Sequence, residues 1–254
     1  GLEKILAKDN KQVEKQLQEV EEKLNIHLAS RKEQLDVFEK NELESHFADW
    51  LDSANLEELE SKWQPLKVLS VTSDAGTIYQ EQPDGSWLVR GSVANKENIS
   101  IEGRSSLDLV NQIRLEALTD KSLPNAGPGG AGNGNFALGD IRVYVEDKLS
   151  SELQGEASRS WIEVDLVTAS ATHQQNTDSL SVAASIDDDE ISGWAVDFGG
   201  IGKDQAAVFS FDAPVKNRDA IRWKIALTFQ HPNPKHVMGR FRISFSQFGD
   251  APVS

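Results

Sequence analysis

The chain changes character once, at Pro65. From Leu2 to about Leu51 it holds neither proline nor glycine, and charged residues and glutamine surround apolar residues at Leu6, Val13, Leu17, Val20 and Leu24. Steps of three and four place these side chains on one stripe of an α-helix. The pattern slips through Leu28, Leu35 and Phe38, so the stripe turns around the helix instead of holding one coiled-coil register. A second helical stretch is predicted from Ala54 to Trp63, behind Ser53 as N-cap, with acidic residues in its first turn where the helix dipole favours them. Residues 1–63 therefore read as a helical arm, a long α-helical or coiled-coil segment plus a short second helix, which Pro65 closes.

After Pro65, β-branched and aromatic residues alternate with polar ones between frequent turn signals. Strands are predicted at Leu66–Val71, Thr77–Gln82, Trp87–Val93, Glu97–Ile101, Leu109–Leu118, Phe136–Glu146, Trp161–Ala171, Ile191–Val196, Ala206–Phe211, Ala220–Phe229 and Gly239–Phe245. Asp84-Gly85 supplies a tight hairpin between the second and third. About ten strands without intervening helices suit two packed antiparallel sheets, so residues 64–250 are expected to form a jelly-roll β-sandwich and the chain to be mainly β.

Composition narrows the function. Acidic residues outnumber basic ones by 41 to 26, a formal charge of −15 that opposes phosphate backbones and anionic membranes. Nucleic acid is excluded as a partner on that ground. The absence of cysteine removes disulfides, thiolate metal sites, cysteine nucleophiles and covalently attached c-type haem. No apolar run approaches the roughly 20 residues of a membrane span, and no signal-peptide order opens the chain. Gly1 in place of Met suggests a piece of a larger protein.

The segment from Leu123 to Asn135, LPNAGPGGAGNGN, is too rich in Gly and Pro for regular structure. Such a loop is either functional, and held in place, or a plain surface connection. It joins Ile113-Arg114-Leu115-Glu116-Ala117-Leu118-Thr119-Asp120 to Phe136-Ala137-Leu138. This run resembles a segment of large secreted planctomycete proteins that combine a cytochrome-c-like domain with planctomycete-specific domains of unknown function. The stretches Ala184 to Val196, Ala207-Val208-Phe209 and Gly239 to Ser244, and the Trp63-Gln64-Pro65-Leu66 junction, are similar to the same proteins. The resemblance implies a galactose-binding-like, discoidin-type sandwich, a periplasmic, extracellular or cell-surface location and a polysaccharide context, with neighbouring domains of the parent protein as further partners. It supplies no established reaction. Where the family pattern has Asp-Gly-Asp, this chain has Asp187-Asp188-Asp189-Glu190.

Calcium takes six to eight oxygen ligands from carboxylates and carbonyls that loops can converge. Asp187, Asp189 and Glu190 are the first candidates, and Asn133, Asn135 and Asp140 the second. Against them, consecutive acids are ordinarily a solvated loop, and Asn and Gly ordinarily serve the turn itself. Sugar binding needs an aromatic face beside hydrogen-bonding side chains; Trp87, Tyr79, Trp161 and His173 are candidates, with Trp87, beside a hairpin turn, expected to be exposed. Trp161, Trp194 and Trp223 also fit core positions. His231 and His236 flank a Pro-rich turn with no third metal ligand at a suitable spacing. No nucleophile elbow, HExxH or P-loop is present, and no acid-base pair is positioned by spacing. The expectation is a non-catalytic carbohydrate-binding or cell-surface module with a structural calcium. The alternative is a scaffold domain whose arm docks neighbours or self-associates while the sandwich binds no glycan.

Overall fold

A computed structural model describes residues 2–43, 45, 62–147, 160–217 and 221–253. The chain divides into two compact units, 1–55 and 56–254. The described residues of the first form the helix α1 (Leu2–Asn41). Along it Leu17, Val20, Leu24, Leu28 and Leu35 are 54–61% exposed and Phe38 is 39% exposed. Most of the second predicted helix, Ala54 to Trp63, lies outside the described residues.

The second unit contains strands β1 (Gln64–Pro65), β2 (Lys67–Ser73), β3 (Tyr79–Glu81), β4 (Trp87–Val89), β5 (Glu97–Arg104), β6 (Leu109–Ala117), β7 (Ala137–Leu138), β8 (Asp140–Asp147), β9 (Ser160–Val164), β10 (Leu166–Ala171), β11 (Trp194–Ala195), β12 (Gln205–Lys216), β13 (Arg222–Phe229) and β14 (Arg240–Ser246). One sheet runs β10-β12-β6-β14-β4-β3, with β1 also on β14; the other runs β2-β5-β13-β8-β9; β11 and β7 form a short ribbon. All pairings are antiparallel. The steps β5 to β6, β6 to β8, β12 to β13 and β13 to β14 each cross from one sheet to the other, and this crossing makes the sandwich a jelly roll.

The two-residue period of a strand explains the core. In β13, Trp223, Ile225, Leu227 and Phe229 point inward and are buried, while Arg222, Lys224, Ala226 and Thr228 face outward. Ile99 and Ile101 of β5, Ile113 and Leu115 of β6 and Phe241, Ile243 and Phe245 of β14 meet them. The predicted strand Trp161–Ala171 breaks at Asp165, because β9 and β10 belong to different sheets. Sheet charges pair across strands: Arg242 grips Glu116 with Nε and Nη2 at 2.6 and 2.7 Å. The Trp63 ring lies 4.9 Å from the Arg114 guanidinium, and its Nε1 donates to the Pro252 carbonyl at 2.8 Å.

Candidate functional site

The glycine-rich segment is an ordered loop held by its own backbone. Gly127 N–H donates to Pro124 O, Gly129 N–H to Gly134 O, Gly134 N–H to Ala131 O and Gly130 N–H to Val237 O, at 2.7–3.0 Å. A Cβ on Gly129 would stand 2.0 Å from the Asn135 carbonyl oxygen, and one on Gly127 would stand 2.3 Å from that of Gly134. The glycines therefore permit the loop to close on itself. Its far end presents Asn133 and Asn135 to the end of the sandwich.

There Asn135, 4% exposed, joins three segments. Its Nδ2 donates to Gln175 Oε1 at 3.1 Å, and its Oδ1 accepts from the Val196 N–H at 3.0 Å. Asn133 Oδ1 accepts from the Asn135 N–H at 3.1 Å, and its Nδ2 donates to Asp197 Oδ2 at 2.9 Å. Together with His231, Asn233 and His236 these side chains line a cleft of about 270 Å³, near the lower end of about 300 Å³ for small-molecule sites. Among the described residues, Gln175 Nε2 and the Asn233 side-chain amide have no hydrogen-bond partner, and Asp197 is the lining's only carboxylate.

The residue after Asp197 is Phe198, the most exposed large apolar side chain among the described residues at 79%. Its backbone lies in the left-handed region, φ 59°, with Gly199 at φ 112° behind it. The Phe198 N–H donates to Asp197 Oδ1 at 2.8 Å, so the carboxylate that lines the cleft also fixes the turn carrying the ring. A bulky residue at positive φ is an uncommon, strained conformation of the kind that collects at binding sites.

The acidic loop behaves differently. Asp187 Oδ1 accepts from the Asp189 N–H at 2.9 Å, and Asp189 Oδ1 accepts from the Ile191 N–H at 3.0 Å, both two-residue turns. The nearby Asp140 carboxylate, with Glu163 and Asp188, converges on one guanidinium: Arg142 Nε donates to Asp140 at 2.7 Å, Nη1 to Glu163 at 2.9 Å and Nη2 to Asp188. Burial pushes the Asp140 carboxyl above the ordinary aspartate range; Arg142 opposes the rise, and Asp188 and Glu190 add to it. Glu190 is exposed. The candidate metal residues thus fall into two groups, Asn133 and Asn135 in the cleft and Asp140 in the Arg142 cluster beside the acidic loop. Among the described residues no group of three or more His, Asp or Glu side chains is arranged to hold a metal.

Of the four aromatic candidates, none stands free at the cleft. Tyr79 is buried at 7%, its hydroxyl oxygen 2.9 Å from Glu97 Oε1 and 3.1 Å from Met238 O, with one hydrogen to donate between them, and its ring 5.3 Å from Phe241. Trp87 packs against the same core, with Nε1 buried. Beside its hairpin turn Trp87 is half-buried, as Trp161 is. His173 is half-buried and structural: Nε2 donates to the Asp197 carbonyl at 3.0 Å, and its own carbonyl accepts from Trp194 Nε1 at 2.8 Å. Trp161 is half-exposed on the outer face of the β2–β9 sheet, where Lys224 Nζ lies 4.9 Å from its ring and 4.3 Å from that of Tyr144. Trp194 and Trp223 are fully buried. Gln175, Asp197, Phe198 and Asn233 were missed. Only Phe198 left a trace in the sequence, as a lone aromatic in Asp197-Phe198-Gly199-Gly200, outside any alternation.

No family model and no curated protein matches the chain. Among solved structures, TmCBM27, a carbohydrate-binding module described for specific mannan recognition, aligns with 74% of this chain and 88% of its own at 10% identity and a TM-score of 0.24. A likeness of that size carries no weight for fold or function, and the assignment of the jelly roll rests on the strand order above. No described helix is long and apolar enough to cross a membrane.

Proposed function

We propose that the cleft binds a neutral carbohydrate and that the sandwich is a non-catalytic binding module. Unpaired amides, a fixed carboxylate and imidazoles are the groups that exchange hydrogen bonds with sugar hydroxyls, and an aromatic ring covers a sugar's apolar face. The observation that carries the reading is Phe198, held in water by a left-handed turn one residue from Asp197. Asp197 and the charge of −15 disfavour anionic sugars. The extracellular or periplasmic setting and the larger parent protein implied by the planctomycete resemblance belong to the same proposal. Calcium is not required by it, because Asp187, Asp189 and Asp140 have partners within the protein. The test is an array of neutral oligosaccharides probed with the full chain and with Phe198→Gly. Binding by the parent, weakened at least tenfold in the variant at unchanged melting temperature, is expected; a blank array overturns the reading.

A second reading is favoured by α1, whose large apolar side chains from Leu17 to Phe38 remain 39–65% exposed. Apolar residues at helical spacing ordinarily find a partner, and this supports docking or self-association through the arm. Light scattering on the full chain and on Leu24→Glu/Leu28→Glu tests it: a multimer that the double substitution converts to monomer supports the arm's role, and a monomer in both removes self-association.

A further inference from the structure

The two imidazoles of the cleft are held in complementary tautomers. The Asn233 N–H donates to His231 Nδ1 at 3.2 Å, so that nitrogen carries no proton and neutral His231 keeps its hydrogen on Nε2. His236 Nδ1 lies 3.2 Å from the Pro234 carbonyl, an acceptor only, so Nδ1 carries the hydrogen and Nε2 is a bare acceptor. The ring centroids are 4.9 Å apart. One wall of the cleft thereby offers one donor and one acceptor side by side.

We infer that His231 and His236 form a donor-acceptor pair that reads a sugar hydroxyl in their neutral forms and releases it on protonation; this rests on the carbohydrate reading of the cleft. Protonating His236 turns its acceptor nitrogen into a donor. Protonating His231 removes the lone pair that receives the Asn233 N–H and sets two like charges 4.9 Å apart, loosening the turn that presents the Asn233 amide. The charged groups about the pair are Lys96 from the segment before β5, Lys235 between the two histidines and Asp197 of the same cleft. Burial, first, and the charge of His236, second, hold His231 below the usual histidine range, the Asn233 backbone contact opposing the shift and Lys96 adding to it. His231 therefore stays neutral until the pH falls below the usual histidine range.

The experiment has two arms. In the first, the protein alone is titrated by NMR from pH 8 to 4.5, following both histidine rings and the Asn233 amide. His231 is expected to titrate below 6.5, with the Asn233 amide moving at the same midpoint; an Asn233 amide that stays still while His231 titrates overturns the inference. In the second, the neutral oligosaccharide array is read at pH 7.5 and 5.0. Signals at pH 7.5 are expected to weaken at least tenfold at pH 5.0, and the residual binding of His231→Gln/His236→Gln to change less than twofold. Equal binding at both values in the parent overturns the inference. A blank array at both overturns the carbohydrate reading instead, and the Asn233 titration still decides whether the turn answers to protonation.

Discussion

The acidic loop at Asp187–Glu190 and the cleft between Asn133 and Asp197 are both built from polar side chains on tight turns, yet those side chains end in opposite conditions. In the loop, Asp187 and Asp189 accept backbone N–H groups, and Asp188 joins Asp140 and Glu163 on Arg142. In the cleft, Asn135 is fully engaged and buried, but Gln175 and Asn233 keep amides without partners, and Phe198, next in the chain to the lining residue Asp197, stays in water. A run of acids in the sequence advertises charge without saying whether the protein neutralises it. A site open to ligand is marked by polar groups left unpaired on a rigid frame.

The largest effect that separates the two regions comes from the buried hinge of the cleft. Asn135→Ala leaves the Val196 N–H and Gln175 Oε1 without their partner, at a cost of about 2–3 kcal/mol for a buried donor and acceptor. In a unit of this size that lowers the melting temperature by roughly 4–12 °C, and it should abolish oligosaccharide binding. Calorimetry that finds the variant as stable as the parent removes Asn135 from its central place.

Next is Arg142→Gln. Asp140 loses its cation while 7% exposed, but the arginine side chain is 34% exposed, so the several kcal/mol of a broken buried pair is discounted to about 1–2 kcal/mol. The loss should leave oligosaccharide binding intact. It also frees three carboxylates: thermal unfolding with calcium and with EDTA should superimpose for the parent and separate for the variant. Separation already in the parent would restore calcium to the acidic loop.

Much of the sandwich was legible because strand period and burial coincide. Trp223, Ile225, Leu227 and Phe229 alternate with Arg222, Lys224, Ala226 and Thr228 in the sequence and point inward in β13. The Asp84-Gly85 turn was equally local, with Gly85 at φ 77°. The cleft was only half legible. Asn133 and Asn135 stood out beside glycines, but Gln175, Asp197 and Asn233 come from three other segments, and only the sheet pairing unites them. Among the aromatics, Tyr79 goes inside because β3 packs its ring onto Phe241, Trp87 is half-buried, and Phe198 stays outside because a left-handed turn holds it there.

A smaller effect sharpens the comparison from the exposed side. Phe198→Gly removes a side chain that buries little and suits the positive φ, so stability should change by less than about 0.5 kcal/mol while binding falls at least tenfold. The smallest is pH dependence. His231 is held below its unfolded value of 6.5, so the folded state takes up protons less readily than the unfolded state. Its contribution to stability is whole above pH 6.5, falls as the pH drops through that value, and is lost below the folded value. His231→Gln should flatten that part of the stability-pH profile; an unchanged profile assigns the slope to other groups.

The central claim is tested most directly by isothermal titration of the neutral oligosaccharide with the strongest array signal into the full chain and into Phe198→Gly at pH 7.5. The account predicts saturable one-site binding to the parent, weakened at least tenfold in an equally stable variant. Equal affinity in the two proteins would contradict it and move the binding surface away from the cleft.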